Sequence, residues 1–375
     1  MRLVFWQNCL SPHQLPYICH LLDDNRVNQV VLVAGEEISE ERKTMGWRIG
    51  KYYGLNKCKL YIRPKTEIIE KLLTENQEES VHLFSGIHSF PYIFKCLKMS
   101  IKYNVRRGMI TELPNTFAFG CKNGKPLWLH KVRFCFFDRK YAKKMDCVFA
   151  MGGKATHYYQ SVYNGWQVFP FMYCTHSDFS SVPDVESNTM KILFVGSLSY
   201  WKSPDIISCS LANCMKQDKQ FSAHVTYIGD GAERGKIKRI IEKKHLEKFV
   251  TLVGFQSQDK VSSWMAANDI LILPSIYDGW GAVVNEALQS GMYVICSDAC
   301  GASDLLKHKH VGQVFHAGNL QQLTQILQWC NAHITEIRVN RGIRRQWAEE
   351  HISGRVVAKY MIDCLSGCKN VNALF

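Results

Sequence analysis

Residues 273–291 read Leu273-Pro-Ser-Ile-Tyr-Asp-Gly-Trp-Gly-Ala-Val-Val-Asn-Glu-Ala-Leu-Gln-Ser-Gly291. The apolar run Ile270–Leu273 predicts a buried strand that ends at Pro274. Asp278, Gly279, Trp280 and Gly281 form a loop, and a helix begins near Ala282. That helix buries Val283, Val284, Ala287 and Leu288 at helical spacing and stops at Gly291. Its first turn presents unpaired backbone N–H groups and a partial positive charge, and glycines ahead of it let an anion approach closely. Asp278 in the loop and Glu286 in the helix can face one crevice at the carboxyl ends of the strands. Spacing alone fits equally well a plain Gly-rich turn with Glu286 on a solvated face.

The same grammar recurs upstream. Ile192–Val195 ends at Gly196, His224–Ile228 at Gly229 and Val250–Val253 at Gly254, and Tyr293–Ser297 follows the quoted stretch. Short β-branched runs separated by helical patterns predict parallel βαβ units with helices on both faces. The first half repeats it, with strands at Leu3–Trp6, Val30–Ala34, Val81–Ser85, Val105–Thr111 and Cys147–Met151 and a helix at Pro16–Leu22. The polar, aperiodic run SDFSSVPDVESNTM at 177–190 reads as a linker. The predicted fold class is α/β, two doubly wound domains: 1–176, then the linker 177–190, then 191–355. Residues 356–375 carry a late amphipathic helix, Val356–Leu365.

Composition narrows the function classes. The 375 residues are 46% hydrophobic and 21% charged, which excludes a disordered chain, a coiled coil and a collagen-like repeat. The 46 Lys and Arg against 33 Asp and Glu leave a net charge of +13 and favour an anionic partner. Most of the excess lies in residues 95–154, with 14 basic and 3 acidic side chains. Nucleic acid is not expected as that partner, because no RNA-binding motif accompanies the charge. The 15 cysteines are scattered, odd in number and never spaced CxxC, which reads as reduced thiols and not as disulfides or zinc ligands. No apolar stretch nears the roughly 18–20 residues of a spanning helix, and the N-terminal MRLVFWQNCL is too soon interrupted for a signal peptide. The expected place is the cytoplasm, with contact to the inner membrane face.

Four further strand ends bear chemistry-capable residues. Gly196, Ser197 and Lys202 follow one strand, and Gly229, Gly231 and Arg234 follow the next. Phe255 follows Gly254, and in the first domain Leu83-Phe-Ser-Gly-Ile-His88 places a histidine beside a strand end. Each is weak alone, since surface lysines and structural histidines are common.

Taken in order, GSLSYWK, IGDGAERGKI, VGFQSQDKV, LILPSIYDGWGAVVNEALQSG and CSDACGASDLL resemble the family 4 retaining glycosyltransferases of the GT-B fold over about residues 190–350. The first domain resembles them through SGIHSFP, ITELP and PFMYCT, and the opening FWQNCLSPHQ looks like that of bacterial surface-polysaccharide members. The resemblance implies two Rossmann-like domains facing across a cleft that shuts about residues 177–190, with the C-terminal helix crossing back towards the first. It implies a nucleotide-sugar donor on the second domain and a saccharide or lipid-linked acceptor on the first. Glu286 matches the second acid of the family's E-x7-E motif, which binds ribose hydroxyls, and Asp278 stands where the sugar-contacting first Glu is usual. Gly279, Trp280, Gly281, Ala282 and Val283 would supply backbone donors to sugar and diphosphate. Lys202 matches the phosphate-binding lysine, whereas the usual arginine after the strand glycine is Ser197 here. Phe255 would lie beside the base, His88 near the reacting sugar, and His13 and Glu112 on the acceptor side. No Asp-x-Asp occurs, so neither a metal nor any other cofactor is expected.

Two other readings compete: an NDP-sugar epimerase of the same fold, and a non-catalytic module binding membrane or polysaccharide. Both Lys202 and Glu286 are present, which speaks against the module. Within 95–154, Lys95, Lys98, Lys102, Arg106, Arg107, Lys140, Lys143 and Lys144 lie among Phe134, Phe136, Phe137 and Tyr141, and an anionic membrane surface is the expected partner of that segment.

Overall fold

The computed structural model describes residues 1–38, 54–115, 127–175, 189–308, 310–368, 371 and 374–375. It divides into two units, Met1–His176 with Ile352–Leu374, and Ser177–His351 with Phe375. Residues 177–188 of the expected linker lie outside the described residues, and Met190 already opens a strand.

The first unit is built on β1 (Arg2–Cys9), β2 (Gln29–Glu36), β3 (Lys59–Ile62), β4 (Ser80–Phe84), β5 (Arg106–Thr111), β6 (Cys147–Met151) and β7 (Gln167–Phe171). All pair in parallel, in the order β3-β2-β1-β4-β5-β6-β7. The order reverses between β1 and β4, a topological switch point. Central strands are buried on both faces, which is why they read as unbroken apolar runs. Buried Arg2 starts β1 and donates to Leu72 O at 2.9 Å and Ser80 Oγ at 3.2 Å, so its guanidinium satisfies a carbonyl in the last turn of the helix Thr66–Thr74. The C-terminal helix Gly354–Leu365 packs on the helix Leu15–His20 within this unit. A Cβ at Gly354 would stand 2.5 Å from Pro16 O, so only glycine permits that approach.

The second unit carries β8 (Met190–Val195), β9 (Ala223–Ile228), β10 (Val250–Gly254), β11 (Ile270–Leu273), β12 (Tyr293–Ser297) and β13 (Gly312–Phe315). Its parallel order, β10-β9-β8-β11-β12-β13, repeats the first and places a switch point between β8 and β11. Its core joins Ile192, Phe194, Val225, Tyr227, Ile270 and Ile272 to Leu211, Leu323 and Leu327 of the flanking helices.

Three strands are absent from the sequence reading, and all three are sheet edges: β3, β7 and β13. Edges are half-exposed, so their apolar runs are broken, and β7 even contains Pro170. The basic segment also needs correction. Arg107 is not available to a membrane surface: it is buried on β5 and donates through Nε to Ser100 Oγ at 3.1 Å. Phe134 is buried too, in the core of the first unit.

Candidate active site

In the second unit, β8 ends at Gly196, whose N–H donates to Ile228 O at 3.0 Å. A Cβ at Gly229 would fall 1.9 Å from Gly196 O, and one at Gly231 2.5 Å from Leu198 O. Both glycines have φ in the left-handed half of the map, +130° and +156°, so the two turns nest backbone to backbone. Ser197 is tied to Ser199, Oγ to Oγ, at 3.1 Å. The chain then makes a short 3-10 turn, Tyr200–Lys202, and enters the helix Asp205–Gln217.

The turn after β11 is strapped to this one across the switch point. Ile276 N–H donates to Trp201 O at 2.8 Å, and the Lys202 ammonium forms an ion pair with the Asp278 carboxylate. Burial pulls the Lys202 pKa down, and Asp278 more than offsets this, leaving it above its ordinary value. On its other side, Asp278 N–H donates to Ala299 O at 3.2 Å and Gly301 N–H to Asp278 O at 3.2 Å. Gly301 is required there: a Cβ would stand 2.5 Å from Gly279 O.

Trp280 offers only its backbone to a ligand. Its indole is buried and donates to Asn285 Oδ1 at 2.7 Å. Gly281, with φ +94°, turns the chain into Ala282 and the helix Val283–Gln289. Val284, Ala287 and Leu288 are buried, whereas Val283 is partly exposed. Glu286 is half-buried on this helix, and burial pushes its carboxyl up to about 7. Lys202, Asp278 and the glycine loop are thus brought together, with Glu286 on the helix that the loop enters. Arg234 opens the helix Arg234–Lys243 that follows β9, and Phe255 follows β10. Arg234 pairs with Asp230 at 3.4 Å, and Phe255 is exposed.

The first unit has its own switch point, between β1 and β4. Past β4, Gly86 takes φ +76° and the chain reaches His88. His88 Nδ1 is hydrogen-bonded to the Asp138 carboxylate, and its ring packs against Phe94 at 4.1 Å and Tyr141 at 5.3 Å. Past β1, the His13 ring lies 6.0 Å from that of Tyr173, whose hydroxyl donates to Glu112 Oε1 at 2.7 Å. Tyr159 adds a hydrogen bond to Glu112 O at 3.0 Å. Sequence reasoning missed Asp138, Tyr173, Trp201 and Gly301. The one available signal was Asp138, the single acid in an otherwise basic run between Glu112 and Asp146.

Comparison with known proteins fits this geometry. Residues 178–332 match the family described as Glycosyl transferases group 1. An uncharacterized 41.2 kDa protein of the cps region of Klebsiella pneumoniae is 22% identical over 329 residues, 84% of this chain and 86% of that protein. The amylovoran biosynthesis glycosyltransferase AmsK of Erwinia amylovora is 32% identical over 108 residues, which cover 27% of this chain and 26% of AmsK. Anabaena HepE, solved in complex with UDP, has a TM-score of 0.68 and 15% identity over 98% of this chain and 100% of its own, a likeness of fold. Most of the second unit, residues 178–332, thus matches the group 1 glycosyl transferase family, and the chain has the GT-B fold of two Rossmann-like domains.

Proposed function

We propose that this protein transfers a sugar, with retention of anomeric configuration, from a nucleotide-sugar donor to a hydroxyl of a saccharide or lipid-linked acceptor, in the assembly of a bacterial surface polysaccharide. The observation that carries this reading is the Lys202–Asp278 pair at the β8/β11 switch point, beside the glycine loop that leads to Glu286. Crevices at such points, outside the carboxyl ends of parallel strands, bind nucleotides. The pair is a site held in readiness: an arriving diphosphate takes the Lys202 ammonium, and Asp278 is released to accept a hydrogen bond from a sugar hydroxyl. The Glu286 carboxylate accepts from the ribose hydroxyls, and Phe255 offers its ring to the base.

In the chemical step the bond from the anomeric carbon to the diphosphate oxygen breaks, and its electron pair stays on the diphosphate. The acceptor oxygen bonds to that carbon from the same face, and its proton passes to the departing phosphate oxygen. Lys202 stabilises the charge that grows on the leaving group, and no protein nucleophile takes part. On the acceptor side, the Asp138 carboxylate accepts a hydrogen bond from His88 Nδ1–H and so presents Nε2 to the reacting sugar.

The cps-region relative and AmsK point to surface polysaccharides, and the UDP bound to HepE makes UDP-sugars the first donors to try. A thermal-shift series over UDP-, GDP- and ADP-sugars tests the donor site. The matching donor at 100 times its dissociation constant stabilises by about 2.7 kcal/mol. No shift with any nucleotide sugar would overturn the reading. Donor turnover with no acceptor present would establish the epimerase instead.

A further inference from the structure

We propose that residues 127–144 of the first unit dock on the surface of an anionic lipid bilayer. The segment is a helix, Leu127–Arg133, a π-helical turn, Phe134–Asp138, and a last helical turn, Arg139–Ala142. The π-helical turn resets the angular register. Phe134 then enters the core, and Asp138 and Tyr141 face His88. Ala142 is buried as well, and most of the remaining side chains are turned outward. Trp128 is 60% exposed, Phe136 78% and Phe137 61%, with Leu127, Leu129 and Val132 also exposed on the same segment. Isolated exposed apolar residues are common on any protein, but six on one 18-residue stretch form a patch that calls for a covering partner.

Charge identifies the partner. Residues 127–144 carry six Lys or Arg and one acid, and that acid, Asp138, is held by His88. Lys131, Arg133, Arg139, Lys140, Lys143 and Lys144 are all exposed. Lys140 leans over the Tyr141 ring at 5.1 Å, and Lys98, from the neighbouring helix Pro91–Ser100, over the Phe94 ring at 4.8 Å. Large aromatic side chains interleaved with exposed cations match the interfacial zone of a bilayer, where rings enter the acyl boundary and cations stay among anionic headgroups. A polyanion without an apolar phase would leave Trp128, Phe136 and Phe137 in water. Among the described residues no helix is long and apolar enough to cross a membrane, so the contact is peripheral. Because Asp138 belongs to the docking segment and holds His88, seating on the bilayer fixes the element that orients this histidine.

The test is co-sedimentation of the full chain with phosphatidylcholine vesicles, with and without phosphatidylglycerol, in the absence of any donor. It is therefore independent of sugar transfer. Binding to the phosphatidylglycerol vesicles alone, weakening steeply with salt, is expected. Replacing Lys140, Lys143 and Lys144 with Glu should weaken partitioning about a hundredfold or more, at roughly fivefold per cation removed. Replacing Trp128, Phe136 and Phe137 with Ser should abolish binding while leaving the melting temperature unchanged, since none of the three is buried. Equal binding to both vesicles, or no binding to either, overturns the proposal. Full binding by the Ser variant does so as well, because the exposed aromatic residues would then play no part in docking.

Discussion

The two switch points share one strand order and are built in opposite ways. At β8/β11 the turns are shaped by missing side chains: Gly229, Gly231 and Gly301 allow backbone contacts that any Cβ would block. At β1/β4 and its neighbouring strand ends the architecture is made of side chains, with His88 held by Asp138, Phe94 and Tyr141, and Glu112 held by Tyr173 and Tyr159. The contrast suits the ligands proposed for each side. A diphosphate is bound by backbone N–H groups and one cation, which demands close approach. A sugar hydroxyl is bound by directed side chains, which demands orientation.

The sharpest way to break this comparison is Gly229→Ala. Its methyl would meet Gly196 O, and we expect a loss of about 4 kcal/mol or a second unit that fails to fold, read by denaturant unfolding. A loss near 1 kcal/mol would mean that the nested turns are not rigid. Next is Lys202→Ala, expected to lower kcat about a hundredfold to a thousandfold with a smaller change in donor affinity. Unaltered turnover would remove Lys202 from the chemistry.

Glu286 makes the donor side pH-dependent. With its carboxyl at about 7 in the free protein, donor affinity should fall about tenfold per pH unit below that value, because the ribose hydroxyls need an ionised acceptor. The folded pKa is raised, so Glu286 favours the fold at low pH. That contribution is lost as pH rises from 4.5 through about 7. Glu286→Gln should flatten both dependences, and calorimetry across that range would read them together.

On the first unit, Asp138→Asn is expected to lower kcat by roughly tenfold, the worth of about one hydrogen bond from His88 to the reacting sugar. The donor KM should stay fixed, which a merely structural loss would not produce. The smallest effect is Tyr173→Phe, which leaves one Glu112 oxygen without this donor and should cost about 1 kcal/mol of stability in a thermal melt.

Much of this was legible in the chain. The interior strands announce themselves because both faces are covered, and their ends announce themselves because Gly196, Gly229 and Pro274 stop them. The glycine loop before the helix carrying Glu286 has the same local legibility. Edge strands β3, β7 and β13 do not, since half their side chains meet water. Nor do long-range partners. Lys202 and Asp278 are 76 residues apart, and His88 and Asp138 are 50 apart. Arg107 looked like one more surface cation until β5 buried it against Ser100.

The sequence by itself determined which segments must be buried, where each strand had to stop and which residues stood at the stops, because hydrophobic period and backbone freedom are local properties. Only the tertiary structure decided which stops became neighbours. Strand order places β8 beside β11 and thereby pairs Lys202 with Asp278. The π-helical turn at Phe134–Asp138 decides which side of residues 127–144 faces the core, putting Asp138 against His88 and leaving Trp128, Phe136 and Phe137 outside. Neither outcome is written in a local pattern, since each depends on hydrogen bonds and packing between segments tens of residues apart.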